Sequence, residues 1–344
     1  MFFYVNNFTN EWIFCQDALT YFFRYIFPIR LKIDFFCATM KEVKMGKCKC
    51  RFMMDFQKLG LEHISLLKGY FSEVTTRLCD TTLGGAVMWR KGFDTELANT
   101  ENVLFLRSRP DEKGFVYTVP LGNLERGVEL LTEYCRERGE PLRFCSVSRE
   151  DKDRLLDLLP GFTARPTRDW FDYLYRAEKL STLAGKKLAG QRNHRNFFLK
   201  NHPDWRFEEI TDENITEVRE FFRIYCRENQ KDSEYFRQEV EAVREVLEKR
   251  DLYGFVGGLI RAEGKLCAFS FGEHVGDTLF VHIEKADRTV RGSYQMMASE
   301  FVSHFAGSAE FVNREEDVGD PGLRYAKESY HPHALLEKYV VERG

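Results

Sequence analysis

Four stretches of this sequence carry side chains able to do chemistry. The most specific runs from Asn313 to Pro332. Asp320 is a good N-cap and Pro321 suits the first helical position, so a helix opens there. Leu323, Ala326, Lys327 and Tyr330 then share one face, and Lys327 points the same way as the packing residues. Arg314, Glu315, Glu316 and Asp317 crowd the preceding turn, next to Asn313, and Arg324 follows inside the helix. Mixed charges facing inward at a strand end suit a polar site; the competing reading is an ion-pair network that only fixes the last helix.

The second stretch is the strand Leu279 to Glu284. A period of two places His282 and Glu284 on the face of Phe280. A carboxylate there can act as general base or orient an amine, or the face is simply solvated. The third, Arg288 to Gln295, links that strand to a helix. Arg291 and Gly292 at a helix start suit a phosphate or carboxylate, against an ordinary turn capped by Ser293. The fourth is basic: residues 176–206 hold eight Lys/Arg and two acids, a local charge of +6. Leu188, Arg192, Arg195 and Leu199 form one helical stripe, with Asn193 and His194 beside it. Two arginines between leucines call for a buried or interfacial anion. The plain alternative is a solvated basic face, and His194 alone is equally a core or capping residue.

The elements that must position these groups can be read from the periodicity. Leu124, Val128, Leu131 and Cys135 mark a helix over 123–138, stopped by Gly139. Ser148 to Asp151 is a capping-box pattern opening a helix to Leu159. Val103–Arg107 and Phe115–Val119 form a hairpin, and Leu142–Val147 and Asp172–Arg176 are strands. Helices pass through Ile215, Val218, Phe222 and Tyr225, and through Phe236, Val240, Val243 and Leu247. Gly254–Ala262, Lys265–Val275 and Thr278–Lys285 follow as an antiparallel meander joined at Glu263-Gly264 and Gly276-Asp277. A helix at 293–306, a strand at 309–313, the helix from Pro321 and a last apolar run, Ala334–Val341, complete an α+β layout. The weakest join lies near 177–185, and no repeat is visible residue by residue.

Length and composition set the bounds. The 344 residues carry 51 Lys+Arg against 54 Asp+Glu, a net charge of −3. That balance excludes a protein that coats nucleic acid with its whole surface, and the length suits about two domains. No run approaches the roughly 18 apolar residues of a spanning helix. Residues 1–53 hold fourteen aromatics and four of the nine cysteines without a clear period, so this extension is expected to lie outside the fold. The alternative for 1–53, whose aromatics mix with Lys and Arg, is a membrane-surface anchor giving peripheral contact, and the odd cysteine count reads as reduced thiols in a cytoplasm. Cys48 and Cys50, one residue apart, are weak evidence for a metal, and no metal site is assigned.

Taken together, Ser181 to His194, Val281 to Ala286, Asn313 to Gly319 and Gly322 to Pro332 resemble the phosphatidylglycerol lysyltransferase C-terminal domain family. The likeness covers about 54–344. It implies two tandem GNAT-like (acyl-CoA N-acyltransferase) domains, as in Fem-type ligases, with mixed, mostly antiparallel sheets flanked by helices. The domains expected are 54–177 and 178–344, the second carrying the site. The implied reaction moves an activated acyl or aminoacyl group to an amine or hydroxyl acceptor. In the lysyltransferases the donor is aminoacyl-tRNA and the acceptor a membrane lipid. This chain shows no multi-span region, which leaves the acceptor open. Tyr294 and Met296 stand where the GNAT pyrophosphate loop has small residues, which favours a donor other than acetyl-CoA. On this reading Glu284 or Asp317 partners the acceptor, and Lys327 and Tyr330 stabilise charge or protonate the leaving group. Arg192, Asn193, His194, Arg291, Gly292, Asn313, Arg314 and Arg324 hold donor phosphates or carboxylates, and the +6 segment docks tRNA. No cofactor is required beyond the donor substrate, aminoacyl-tRNA or an acyl-CoA. An acetyl-CoA-dependent N-acetyltransferase and a non-catalytic binding module are the alternatives.

Overall fold

The computed structural model describes residues 54–344; the 1–53 extension and its Cys48 and Cys50 lie outside the described residues. Fourteen strands form two seven-stranded sheets. In chain order they are β1 (Gln57–Lys58), β2 (Glu96–Thr100), β3 (Val103–Asp111), β4 (Gly114–Tyr117), β5 (Arg143–Val147), β6 (Phe162–Pro166) and β7 (Asp172–Arg176). Then come β8 (Arg206–Glu209), β9 (Val256–Ala262), β10 (Lys265–Val275), β11 (Thr278–Ala286), β12 (Phe311–Asn313), β13 (Ala334–Leu336) and β14 (Tyr339–Arg343). The helices are α1 (Ile64–Phe71), α2 (Leu124–Arg138), α3 (Arg149–Leu158), α4 (Ala177–Thr182) and α5 (Ala189–Asn201). They continue as α6 (Ile215–Glu228), α7 (Glu234–Tyr253), α8 (Ser293–Phe305) and α9 (Pro321–Glu328).

Local chemistry accounts for the predicted elements. The Asn123 side chain accepts from the Arg126 N–H to start α2, and Gly139 ends it at φ 66°. Ser148 accepts from the Asp151 N–H, and Asp320 from the Leu323 N–H with Pro321 behind it. Glu263 (φ 53°) and Gly264 (φ 74°) both take positive φ, the two-residue turn whose twist suits the β9–β10 hairpin.

The strand orders reveal a repeat that the residues hide. The first sheet runs β1-β2-β3-β4-β5-β14-β6, and the second, read from its far edge, β8-β9-β10-β11-β12-β7-β13. Position by position they match, with one parallel contact each, β4 with β5 and β11 with β12. The sixth place in each sheet is filled from the other half of the chain. β7, just before the 177–185 join, completes the second sheet, and β14 returns to complete the first. The run Ala334–Val341 is therefore two strands in different sheets. It breaks at Lys338, whose ammonium is buried among acids and cannot continue an apolar face.

Three apolar cores result. One joins α2 and α3 to the first sheet, and one joins α4, α5 and α8 to the second. The third is shared: Leu97, Leu104 and Leu106 of the first sheet meet α1, α6, α7 and the opposite face of β9–β11. A single π-turn, Gly84–Met88, also feeds this shared core.

Candidate functional site

The site is built where β11 loses its neighbour. β12 pairs with β11 only through Thr278–Phe311, Leu279–Val312 and Phe280–Asn313. Beyond Phe280 the strands part, and polar side chains fill the notch.

A bulge sets which side each one takes. Gly272 pairs with Val281 and Phe271 with Ile283, leaving His282 as the extra residue of β11. The alternation shifts there. Val281 packs with the α5–α8 core and Ile283 with the shared core. Glu284, one residue past Ile283, faces opposite to it, and His282 lies on the shared-core side, stacked on Phe280 and against Phe255. The strict period of two that grouped His282 with Glu284 is thus overturned by one inserted residue.

On the α5–α8 side, Arg314 Nη2 donates to Glu284 Oε1 at 2.7 Å, with both side chains about 12% exposed. The Tyr330 ring lies 4.7 Å from the guanidinium carbon and the Tyr175 ring 5.9 Å. Arg314 Nη1 is buried without an acceptor in hydrogen-bond geometry. Lys327 Nζ donates to the carbonyls of Arg314 (2.6 Å) and Glu316 (2.5 Å), clamping the loop; burial lowers its pKa despite nearby Glu315 and Glu316. Burial likewise lifts the Tyr330 hydroxyl to about 12. These predicted residues, Glu284, Arg314, Lys327 and Tyr330, do come together.

The others take separate places. Asp317 is fully buried and accepts from Arg168, Arg324, the Tyr173 hydroxyl and the Gly319 N–H. Burial raises its pKa, and these donors overwhelm that and hold it far below the usual carboxylate range. Arg324 also reaches Asp169. Asn313 donates to Asp172 and to the Arg77 carbonyl, and its own oxygen receives the Glu315 N–H. Arg192 donates to the carbonyls of Leu183 and Gly185, and Arg195 to that of Ser181. Carbonyls at and just past the end of α4 thus receive Arg192 and one nitrogen of Arg195, while Arg195 Nε is buried without a hydrogen-bond partner. Asn193 is exposed, and Arg291 stacks 4.3 Å over exposed Phe197. Gly292 has φ 91°, and a Cβ there would lie 2.3 Å from the His194 carbonyl oxygen. The backbone of α5 thus passes directly against Gly292, the residue before α8.

Other groups carry no local motif. Lys338, 1% exposed, lies 2.7 Å from Asp172, 2.5 Å from Asp80, 3.3 Å from Cys79 Sγ and 3.6 Å from Glu316. Burial pushes the Asp172 carboxyl up against the pull of Lys338, and burial with the same acids pushes the Cys79 thiol up. Cys79, Asp80 and Asp172 are spaced to hold a metal ion, but the cation among them is the protein's own ammonium. On the shared-core side, His282 donates from its ring nitrogens toward Glu315 (2.7 Å) and Glu273 (2.9 Å). Tyr235 stacks on Trp89 at 5.0 Å, and burial, then Glu316, Glu239 and Glu315, hold its hydroxyl protonated. Glu273 had a usable signal: it lies in line with the buried Phe269 and Phe271.

The family described as phosphatidylglycerol lysyltransferase, C-terminal, matches over residues 71–342. A protein of unknown function from Bacteroides thetaiotaomicron is 30% identical, with TM-score 0.79 over 85% of this chain and all of that one. The C-terminal domain of a putative lysylphosphatidylglycerol synthetase from Agrobacterium fabrum is 14% identical, with TM-score 0.60 over 82% of this chain and 92% of that one. The lysylphosphatidylglycerol synthase structure from Bacillus licheniformis is 15% identical, with TM-score 0.57 over 81% and 91%. An uncharacterized protein of Mycoplasmoides gallisepticum is 25% identical over 174 residues, half of this chain and 56% of that one. The chain thus spans just over half of that curated relative. The expected fold class, α+β with mixed, mostly antiparallel sheets flanked by helices, is the one observed.

Proposed function

The chain belongs to the phosphatidylglycerol lysyltransferase C-terminal family, and from that premise we propose that it moves an aminoacyl group from tRNA to an acceptor at the β11–β12 notch. The observation that carries this reading is Arg314, a buried guanidinium whose Nη1 meets no acceptor in hydrogen-bond geometry, held by Glu284 through Nη2 and facing the Tyr330 hydroxyl. Attack on an ester builds negative charge on the carbonyl oxygen, and a preorganised donor in a dry site stabilises that charge. Tyr330, protonated at neutral pH, is the neighbouring proton source for the leaving oxygen. Lys327 and Asp317 hold the loop that carries Arg314.

Two features support tRNA over an acyl-CoA. At the start of α8, where a pyrophosphate would bind, the His194 carbonyl lies against Gly292, and a carbonyl oxygen repels anions. Lys179, Lys186, Lys187 and Lys200 are exposed along α4, α5 and the loop between them, and α5 also carries the exposed Phe197 under Arg291, a combination suited to a nucleic-acid strand. The test is to incubate the protein with tRNA charged with labelled amino acids and a cell extract as acceptor source. Salt-sensitive binding and label leaving the tRNA only when Arg314 is intact support the reading. Consumption of acetyl-CoA instead overturns it for an N-acetyltransferase, and no transfer from either donor overturns it for a binding module.

A further inference from the structure

Where α1, the end of α7 and the end of β10 meet, a cleft of about 370 Å³ opens. Arg314, Glu284 and Tyr330, the groups of the transfer reading, do not line it. Its apolar lining is the buried Phe71, Leu83 and Tyr253 with the half-buried Val256. Gly254 (φ 69°) and Gly276 (φ 58°) leave part of the rim without side chains.

Most polar groups of the wall are already engaged. The Tyr253 hydroxyl donates to Glu245, the Ser72 hydroxyl donates to the Gly69 carbonyl, and His274 Nε2 meets the Phe305 carbonyl. Two charged groups are not. Glu273 accepts through Oε1 alone, from the Gly84 N–H at 2.8 Å and His282 Nε2 at 2.9 Å, and its Oε2 has no donor among the described residues. Lys68 is exposed, has no carboxylate or carbonyl partner among the described residues, and holds its Nζ 3.3 Å from the place a Gly254 Cβ would take. β9 begins two residues after Gly254, and its Val256 pairs with Gly272, the neighbour of Glu273. Both charges therefore stand at one end of the same hairpin.

The carboxylate is fixed in place. The bulge sets His282 against it, and Gly84 makes room, since a Cβ there would lie 2.2 Å from the ring. Burial lowers the pKa of His282, and Glu273 and Glu315 outweigh it and lift it to about 9, so the ring is an imidazolium. Glu315, His282 and Glu273 form a row in which two carboxylates share one cation, which leaves one negative charge over. Lys68 adds one positive charge, so the cleft as a whole is neutral but split.

We propose that this cleft is a second ligand site and that it takes a free amino acid with an apolar side chain. The ammonium meets Glu273 Oε2, the carboxylate meets Lys68, and the side chain lies on Phe71, Leu83 and Val256. An apolar cleft with a few convergent polar groups is the usual form of a small-molecule site, and a zwitterion matches its split charge. An amino acid esterified to tRNA has no carboxylate to offer Lys68, so the site distinguishes the free compound from the donor. It stands independently of the transfer reading.

The test is saturation-transfer NMR and calorimetric titration of the full chain with three probes. These are L-leucine, L-leucinamide, which lacks the carboxylate, and 4-methylpentanoate, which lacks the ammonium. The buried Glu273 contact should make 4-methylpentanoate at least tenfold weaker than L-leucine. The exposed Lys68 contact is worth less, so L-leucinamide should be about threefold weaker. Glu273→Gln should weaken L-leucine at least tenfold and leave 4-methylpentanoate unchanged. Lys68→Ala should erase the difference between L-leucine and L-leucinamide; Lys68 is exposed, so this variant keeps the test decisive if the Glu273 variant does not fold. No saturation transfer to L-leucine at about 10 mM overturns the site. Binding of 4-methylpentanoate as tight as that of L-leucine, or L-leucine binding unmoved by Lys68→Ala, overturns it equally.

Discussion

The two parallel junctions of this molecule have one topology and opposite contents. Where β4 meets β5, the contact is a single pair, Tyr117 with Phe144, both buried, with the Tyr117 hydroxyl against Cys135 at 3.6 Å. Where β11 leaves β12, the space holds Glu284, Arg314 and Tyr330 on one side of the sheet and Glu315, His282 and Glu273 on the other. Burying so many charges is costly unless each is paired, and the first junction carries fewer, its Arg107–Glu96 pair beside Tyr117. The difference teaches that the fold supplies the opening and the side chains decide whether it is scaffold or site.

The largest effects should come from the ionic knot where the exchanged strands cross. Lys338→Ala leaves the fully buried Asp172 and the half-buried Asp80 without their cation and should cost about 3–5 kcal/mol in denaturant unfolding. Phe144→Ala, at the β4–β5 junction, should cost a similar amount, about 3–5 kcal/mol, with no new pH dependence. An equal loss of transfer by a Phe144 variant that remains folded would break the contrast between the junctions.

The His282 row sharpens it through pH. Its folded pKa is raised, so its stabilisation is whole below the unfolded value of 6.5 and is lost as pH rises through about 9. Stability should fall by roughly 3 kcal/mol across that window, and His282→Gln should flatten the slope. Glu284→Gln should cost less, about 1–3 kcal/mol, because Arg314 loses a charged partner. Transfer should nonetheless drop by about 10²-fold or more. Smallest of all, Lys187→Ala should leave stability unchanged and lower the salt slope of tRNA binding by about 0.7.

Part of this was legible in the sequence. Capping residues, turn glycines and the meander announced most elements of the second half, because those signals are local. The Glu284, Arg314, Lys327 and Tyr330 grouping was legible for the same reason: strand end, turn and capped helix lie within a few dozen residues. His282 was visible but placed with the wrong neighbours, since a one-residue bulge has no composition of its own. The Lys338 knot was out of reach. A lysine inside the apolar run Ala334–Val341 signals a buried partner, but spacing cannot point to Cys79, 259 positions away. The α4 carbonyls that receive Arg192 and one nitrogen of Arg195 are invisible in side-chain patterns, so the partners of this stripe could not be read from it.

The exchange of β7 and β14 has a consequence in time. Residues of the first sheet leave the ribosome early, yet the strand between β5 and β6 is among the last to be made. Until then β5 and β6 each present an open edge, the kind of surface that recruits other chains. The first half cannot finish folding as it is synthesised, and its slow step should be the late, long-range arrival of β14. Both halves must therefore be inherited, expressed and folded as one.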